Sequence, residues 1–219
     1  MKQLNNMKNK ITIALILLSM LSFSQNKKYL EAMKKQIVFL DSAKTTDQYK
    51  KVSEGFERLA KIDKKDWLPI YYAAYGYALA AFETEGEAID KYCDKADLLI
   101  ERADSLSKKN SEIEVVKAMS ATARIMVDPM ARGWQFGKIA YDCVNEASTL
   151  DPENPRPYCF KGTNLFYTPE SFGGGAKKAK PFLEKALLKY KTFKPQTNIH
   201  PRWGKEQAEQ LLKECKKEE

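Results

Sequence analysis

The chain has 219 residues, 43% hydrophobic and 30% charged, the composition of one globular domain or a short repeat array and not of a disordered or fibrous protein. Its net charge is +8; residues 1–24 hold three lysines and no acid, so +8 less 3 leaves +5 on the remainder, too modest to require nucleic acid as a partner. One histidine and four cysteines without a C-x-x-C pair give no support to zinc or thioredoxin-type chemistry.

The first ten residues carry Lys2, Lys8 and Lys10 and no acid. Ile11 to Phe23 is a 13-residue apolar run, and Ser22-Phe23-Ser24 is a small-x-small site ahead of Gln25. Basic, apolar, then small residues make a secretory signal peptide, with cleavage expected near Ser24 and export to the periplasm or beyond. A bilayer span needs roughly 20 apolar residues, so no stable membrane anchor is expected after cleavage. Translation from Met1 or from Met7 fits equally. The first cysteine is Cys93, which excludes lipid attachment to a cysteine at the cleavage point.

After Gln25 the sequence reads as helix: an N-terminal helix over 25–44, a repeated region over 45–195, and a C-terminal loop and capping helix over 196–219. Trp67 to Phe82 contains no charge and includes Tyr71, Tyr72, Tyr75 and Tyr77, so it is expected to be a helix surrounded by protein. Ser111-Glu112-Ile113-Glu114 reads as a capping box with Ser111 at the cap. Asp128-Pro129 is expected to end a helix, since proline disfavours helical geometry in the residue before it. Asp128 to Trp134 then becomes a long connection. In it, Asp128, Arg132 and Trp134 are candidates to grip an anionic or aromatic group; the other reading is that Trp134 anchors the loop to the core. Asn154 followed by Pro155 reads as a cap and a proline at the first helical position.

Gly173-Gly174-Gly175 with Lys177 and Lys178 resembles a phosphate loop only superficially. No strand precedes it, and no serine or threonine follows the lysines to hold magnesium. The expectation is mechanical: Thr168 caps a short turn starting at Pro169, and the glycines end it with positive backbone angles. The next helix carries Ala179, Phe182, Leu183, Ala186, Leu187 and Tyr190 on one face and lysines elsewhere. His200 lies among breakers and reads as a loop residue. Cys93, Cys143, Cys159 and Cys215 read as small buried hydrophobes, or as one or two bridges with Cys143–Cys159 first to test.

One pattern recurs across these helices, small-x3-large-x2-small. It appears as Ala96, Ile100, Ala103; as Ala140, Val144, Ala147; and as Ala179, Leu183, Ala186, with a degenerate copy at Val52, Phe56, Leu59. The first positions are 44, 44 and 39 residues apart. These offsets, the Asp151-Pro152-Glu153-Asn154-Pro155 close, and Tyr158 with Gly162 on the next helix resemble the tetratricopeptide repeat family. That resemblance implies an all-α fold of antiparallel helix pairs in a compact right-handed array or bundle. The family period is roughly 34 residues, so the surplus here points to lengthened helices.

The resemblance also implies a groove lined by Tyr71, Tyr72 and Tyr75, by Val115 and Met119, and by Phe160, Thr163, Phe166 and Tyr167. Such a lining suits a hydrophobic peptide or a small organic ligand, while in a filled bundle the same residues are core. The expected function is that of a non-enzymatic, exported interaction or scaffold protein of a bacterial envelope, with a protein or peptide partner and no cofactor or metal. The alternative is a small-molecule binder for a hydrophobic molecule or organic acid. It is similar to the TatT component of periplasmic TRAP transporters in Gly173-Gly174-Gly175 followed by Ala179, Leu183 and Ala186, but lacks a lipid-anchor cysteine.

Overall fold

Apolar residues at helical spacing, punctuated by caps and prolines, produce one helix after another in the computed structural model of the chain. The structure describes residues 27–217; the leader read at 1–24 lies outside them. The elements are α1 (27–42), α2 (Thr46–Leu59), α3 (Leu68–Phe82), α4 (Ala88–Leu106), α5 (Ser111–Ile125), α6 (Pro129–Leu150), α7 (Arg156–Tyr167), a short 3-10 turn (Glu170–Phe172), α8 (Ala176–Tyr190) and α9 (Lys205–Cys215). No strand occurs among the described residues.

Consecutive helices pack as antiparallel neighbours: α2 on α3, α3 on α4, α5 on α6, α7 on α8, α8 on α9. The recurring small residues sit at these contacts. Ala96, Ala103, Ala140, Ala147, Ala179 and Ala186 are all buried, as are Ile100, Val144 and Leu183 between them. Gly162 on α7 is required by the same close approach, because a Cβ there would lie 2.7 Å from the Leu183 side chain. The two helices that carry the first two alanine pairs are long: α4 has 19 residues and α6 has 22.

Several helix boundaries fall differently from the sequence expectation, each for a local reason. The cap of α5 is Asn110, which accepts from the Glu112 amide; Ser111 is the first helical residue, and its hydroxyl donates to the Ala147 carbonyl on α6 at 2.8 Å. Residues 128–134 are not a connection but the start of α6. Asp128 accepts from the Ala131 amide at 3.0 Å, and Pro129 occupies the first turn, where its missing N–H costs nothing. The break after α5, which ends at Ile125, falls at the Asp-Pro pair as expected, but the pair opens α6 at once and no long connection follows. The Thr168 hydroxyl bonds back to Asn164 and finishes α7, so it does not cap the following turn. Of the three glycines, Gly173 (φ 87) and Gly175 (φ 100) are left-handed, while a Cβ at Gly174 would lie 2.0 Å from the Thr168 carbonyl oxygen.

A buried polar joint links neighbouring helix pairs. Arg156, at the start of α7, donates Nε to Glu112 Oε2 at 2.5 Å, and its Nη2 contacts Glu112 Oε1. Asn154 Nδ2 donates to Ser111 Oγ and Glu112 Oε1 at 2.9 and 3.0 Å, and the Phe193 ring lies 4.5 Å from the guanidinium. Burial opposes the Arg156 charge, but the Glu112 carboxylate outweighs it and holds the guanidinium protonated. Burial pushes the Glu112 carboxyl above its ordinary value even with Arg156 against it.

None of the four cysteines is in a disulfide, so the Cys143–Cys159 bridge is absent. Cys159 is buried with Sγ 3.3 Å from the Gly204 carbonyl oxygen, whereas Cys143 packs at the margin of the main core. Burial pushes the thiols of Cys93, Cys143 and Cys159 up to about 11, which leaves little thiolate at neutral pH.

Candidate functional site

The aromatic helix α3 is covered by the chain's own C-terminal segment. The Tyr72 hydroxyl donates to the Ile199 carbonyl at 3.0 Å. Trp203 donates Nε1–H to the Tyr71 hydroxyl at 2.9 Å and stacks on Tyr75 with centroids 4.6 Å apart. The Tyr190 hydroxyl fixes the same segment by donating to the Trp203 carbonyl at 2.7 Å, and His200 meets Trp67 edge-on. Tyr71, Tyr72 and Tyr75 are therefore core, with their phenol pKa values pushed up first by burial.

The other residues of the expected groove are divided. Met119 and Phe160 join the tyrosines in the main core, with Val115. Phe166 packs with a second cluster around Leu183 and Leu211, and Tyr167 stands 69% exposed at the end of α7. No single surface brings all of them together.

Of the other candidates, Asp128 serves as the α6 cap and Arg132 is engaged by Asp90, with Nη1 2.8 and 2.9 Å from its two carboxylate oxygens. Residues two apart on a helix do not share a face, so Arg132 and Trp134 cannot close on one group. Arg132 clamps α6 to α4 together with Phe136, which packs against the core below the Arg124 guanidinium. Trp134 points the other way and is 87% exposed.

That outward face of α6 is the most unusual surface of the molecule. Met130, Trp134 and Tyr141 are all exposed, and Gly133 and Gly137 lie on the same face between them. The spacing of i, i+3/i+4, i+7 and i+11 keeps all five in one stripe. A Cβ added at Gly133 or Gly137 would meet nothing within 4 Å. Neither glycine is needed for packing, although each costs a helix interior about 1 kcal/mol relative to alanine. What they provide is a bare backbone floor. Trp134 and Tyr141 flank Gly137, two turns apart, or roughly 10 Å at 1.5 Å per residue, while Gly133 lies on the Met130 side of Trp134.

The floor lies in an open groove of about 440 Å³ lined by Gly133, Trp134, Gly137, Lys138, Tyr141 and Asp142. Lys138 and Asp142 form an ion pair at 2.5 Å on its rim. Beside the Tyr141 end, Lys161 of α7 places its Nζ 5.3 Å from the Tyr141 ring and 4.5 Å from the Phe182 ring of α8. An apolar floor, two aromatic walls and a nearby ammonium suit a flat, largely apolar molecule bearing negative charge. Among the described residues, no cluster of three or more His, Cys, Asp or Glu could hold a metal ion. His200 belongs to the segment over α3.

A second, more polar cavity of about 330 Å³ opens between Trp67, the α5 start and Phe193, with Lys108, Lys109 and Lys194 on its border. It adjoins the Arg156–Glu112 joint.

The α6 stripe was available in the sequence as Met130, Gly133, Trp134, Gly137 and Tyr141 at helical spacing. A connection over 128–134 would hide it, because the stripe exists only on a helix.

No family model matches the chain, and no curated protein matches it. Among solved structures, the chain is similar to the HusA haemophore from Porphyromonas gingivalis. The identity is 37%, the alignment covers 87% of this chain and 94% of that one, and the TM-score is 0.78.

Proposed function

This chain belongs to the family of the HusA haemophore, and we propose that it is an exported, non-enzymatic carrier that binds haem or a related porphyrin on the outward face of α6. The observation that carries this reading is Gly137, bare between the exposed rings of Trp134 and Tyr141, with Gly133 equally bare between Met130 and Trp134. A porphyrin is planar and apolar over most of its area, so it needs a floor without side chains and aromatic edges to stack on. A Cβ at either glycine would stand up from that floor.

The helix pairs act as a tetratricopeptide-like scaffold over 45–195. The C-terminal segment from 196 and α9 (Lys205–Cys215) complete its core, and the basic-apolar leader directs export. The α3 tyrosines lend little support to a peptide groove or to TatT-like binding, because Ile199 and Trp203 already cover them. Hydrophobic cover of Trp134 and Tyr141 by the ligand is the main driving force, since apolar area removed from water contributes about 25 cal/mol per Å².

Titration of haemin into the purified protein, followed by its visible absorption and by tryptophan fluorescence quenching, tests the reading. Trp134→Ala and Gly137→Leu should each weaken binding at least about tenfold, or ~1.4 kcal/mol, without lowering the unfolding temperature. Undiminished binding by both variants would move the site elsewhere, and failure of the unmodified protein to bind any porphyrin would end the proposal.

A further inference from the structure

We infer that Lys161 is the carboxylate anchor of the α6 groove, fixing which way round a planar ligand lies and selecting ligands that carry acid groups on one edge. This rests on the porphyrin-binding reading and goes beyond it by assigning orientation and charge selectivity to one side chain.

Lys161 is half-buried on α7, with its ammonium between the Tyr141 ring at 5.3 Å and the Phe182 ring at 4.5 Å. It makes no ion pair among the described residues. Its neighbours differ. Lys138 on the groove rim is neutralised by Asp142, and Lys189 on α8 is paired with Glu153 at 2.9 Å. Lys185 lies 4.2 Å over the Tyr158 ring. The groove is therefore polarised along its length. Met130 and Trp134 make one end apolar, while the Tyr141 end carries the neutral Lys138–Asp142 pair and, beside it, the Lys161 ammonium.

Two aromatic faces hold a cation by their quadrupoles but leave its N–H donors available, and a lysine stem is long enough to swing between rings and ligand. A carboxylate edge placed there gains a charge-assisted hydrogen bond in a partly desolvated site, an advantage of about tenfold in affinity. Asp142, one residue past Tyr141, is balanced by Lys138, so the net charge left at this end is the Lys161 ammonium's. The ligand class is thus a planar apolar ring system with its acid groups clustered on one edge, docked with that edge at Lys161 and its apolar edge toward Met130.

The experiment compares protoporphyrin, a free acid, with its neutral dimethyl ester, on the unmodified protein and on Lys161→Met, Lys161→Arg and Trp134→Ala. Methionine keeps the apolar stem between the rings, so folding is preserved. The unmodified protein should favour the acid by about tenfold. Lys161→Met should bind acid and ester alike, at the affinity of the ester, while Lys161→Arg keeps the preference. If Lys161→Met retains the preference, or the unmodified protein shows none while Trp134→Ala still weakens both ligands, the anchor is wrong and the α6 site stands. If Trp134→Ala weakens neither, the site itself is wrong and the anchor falls with it.

Discussion

The Trp203 indole lies flat on the Tyr75 phenol, centroids 4.6 Å apart and planes inclined 15°, while its Nε1–H donates to the Tyr71 hydroxyl at 2.9 Å. One side chain thereby closes the surface that α3 would otherwise offer a ligand, and ties the C-terminal segment to the core. Replacing Trp203 by alanine removes the stack and leaves a void. Large aromatic truncations cost roughly 3–5 kcal/mol when fully buried; Trp203 is half-buried, so a loss of about 2–3 kcal/mol is expected. Urea unfolding would measure it. Porphyrin affinity should be unchanged, since Trp203 packs on α3 and not on α6. A drop in affinity without loss of stability would place the ligand over Tyr75 instead.

Gly133 and Gly137 should show opposite effects on folding and binding. Alanine at either position meets no neighbour within 4 Å and is the better helix former, so each substitution should raise stability by up to about 1 kcal/mol. The methyl group at Gly137 intrudes between Trp134 and Tyr141, and that at Gly133 between Met130 and Trp134, so haemin affinity should fall in both. Thermal unfolding and ligand titration on the same samples read both. Unchanged affinity in both variants would remove the explanation given for these glycines.

The Arg156–Glu112 joint predicts a marked asymmetry between single and double replacement. Arg156→Met leaves a buried carboxylate without its cation and should cost roughly 3–5 kcal/mol. Adding Glu112→Leu removes the stranded charge and should recover much of that loss, because apolar replacement of a buried pair is often near neutral. A double-mutant cycle from urea unfolding gives the coupling. Additive losses would mean that the two groups act separately.

His200 introduces a pH dependence whose sign follows from its surroundings. Burial against Trp67 pushes its imidazole below 6.5, and the nearby Asp66 carboxylate only partly opposes this. The unfolded chain therefore takes up a proton near pH 6.5 before the folded chain does. This histidine's contribution is fully present above that pH and is lost as pH falls through the window below it. Between pH 7.5 and 5.5 the unmodified protein should lose more stability than His200→Gln, in which the proton site is gone. Parallel pH profiles for the two would show that His200 does not titrate differently on folding.

Local chemistry along the chain determined that this protein is helical and where its helices touch. Ala96, Ala103, Ala140, Ala147, Ala179 and Ala186 could be named as contact positions because a small residue at helical spacing admits a neighbouring backbone whatever that neighbour is. The same spacing pointed to lengthened helices, but not to α6 beginning at Pro129, where a connection was expected. Tertiary structure alone decided which apolar faces remained open. Tyr71, Tyr72 and Tyr75 have the composition of a ligand groove, yet they are covered by Ile199 and Trp203, which lie 127 and 132 residues beyond Tyr72 and Tyr71. Periodicity identifies an apolar face without identifying what lies over it. Asp128-Pro129 shows the complementary ambiguity, since the same dipeptide suits the end of one helix and the start of the next. Only the packing of Phe136 and the Arg132–Asp90 pair turned one face of α6 inward and left Trp134, Gly137 and Tyr141 facing out.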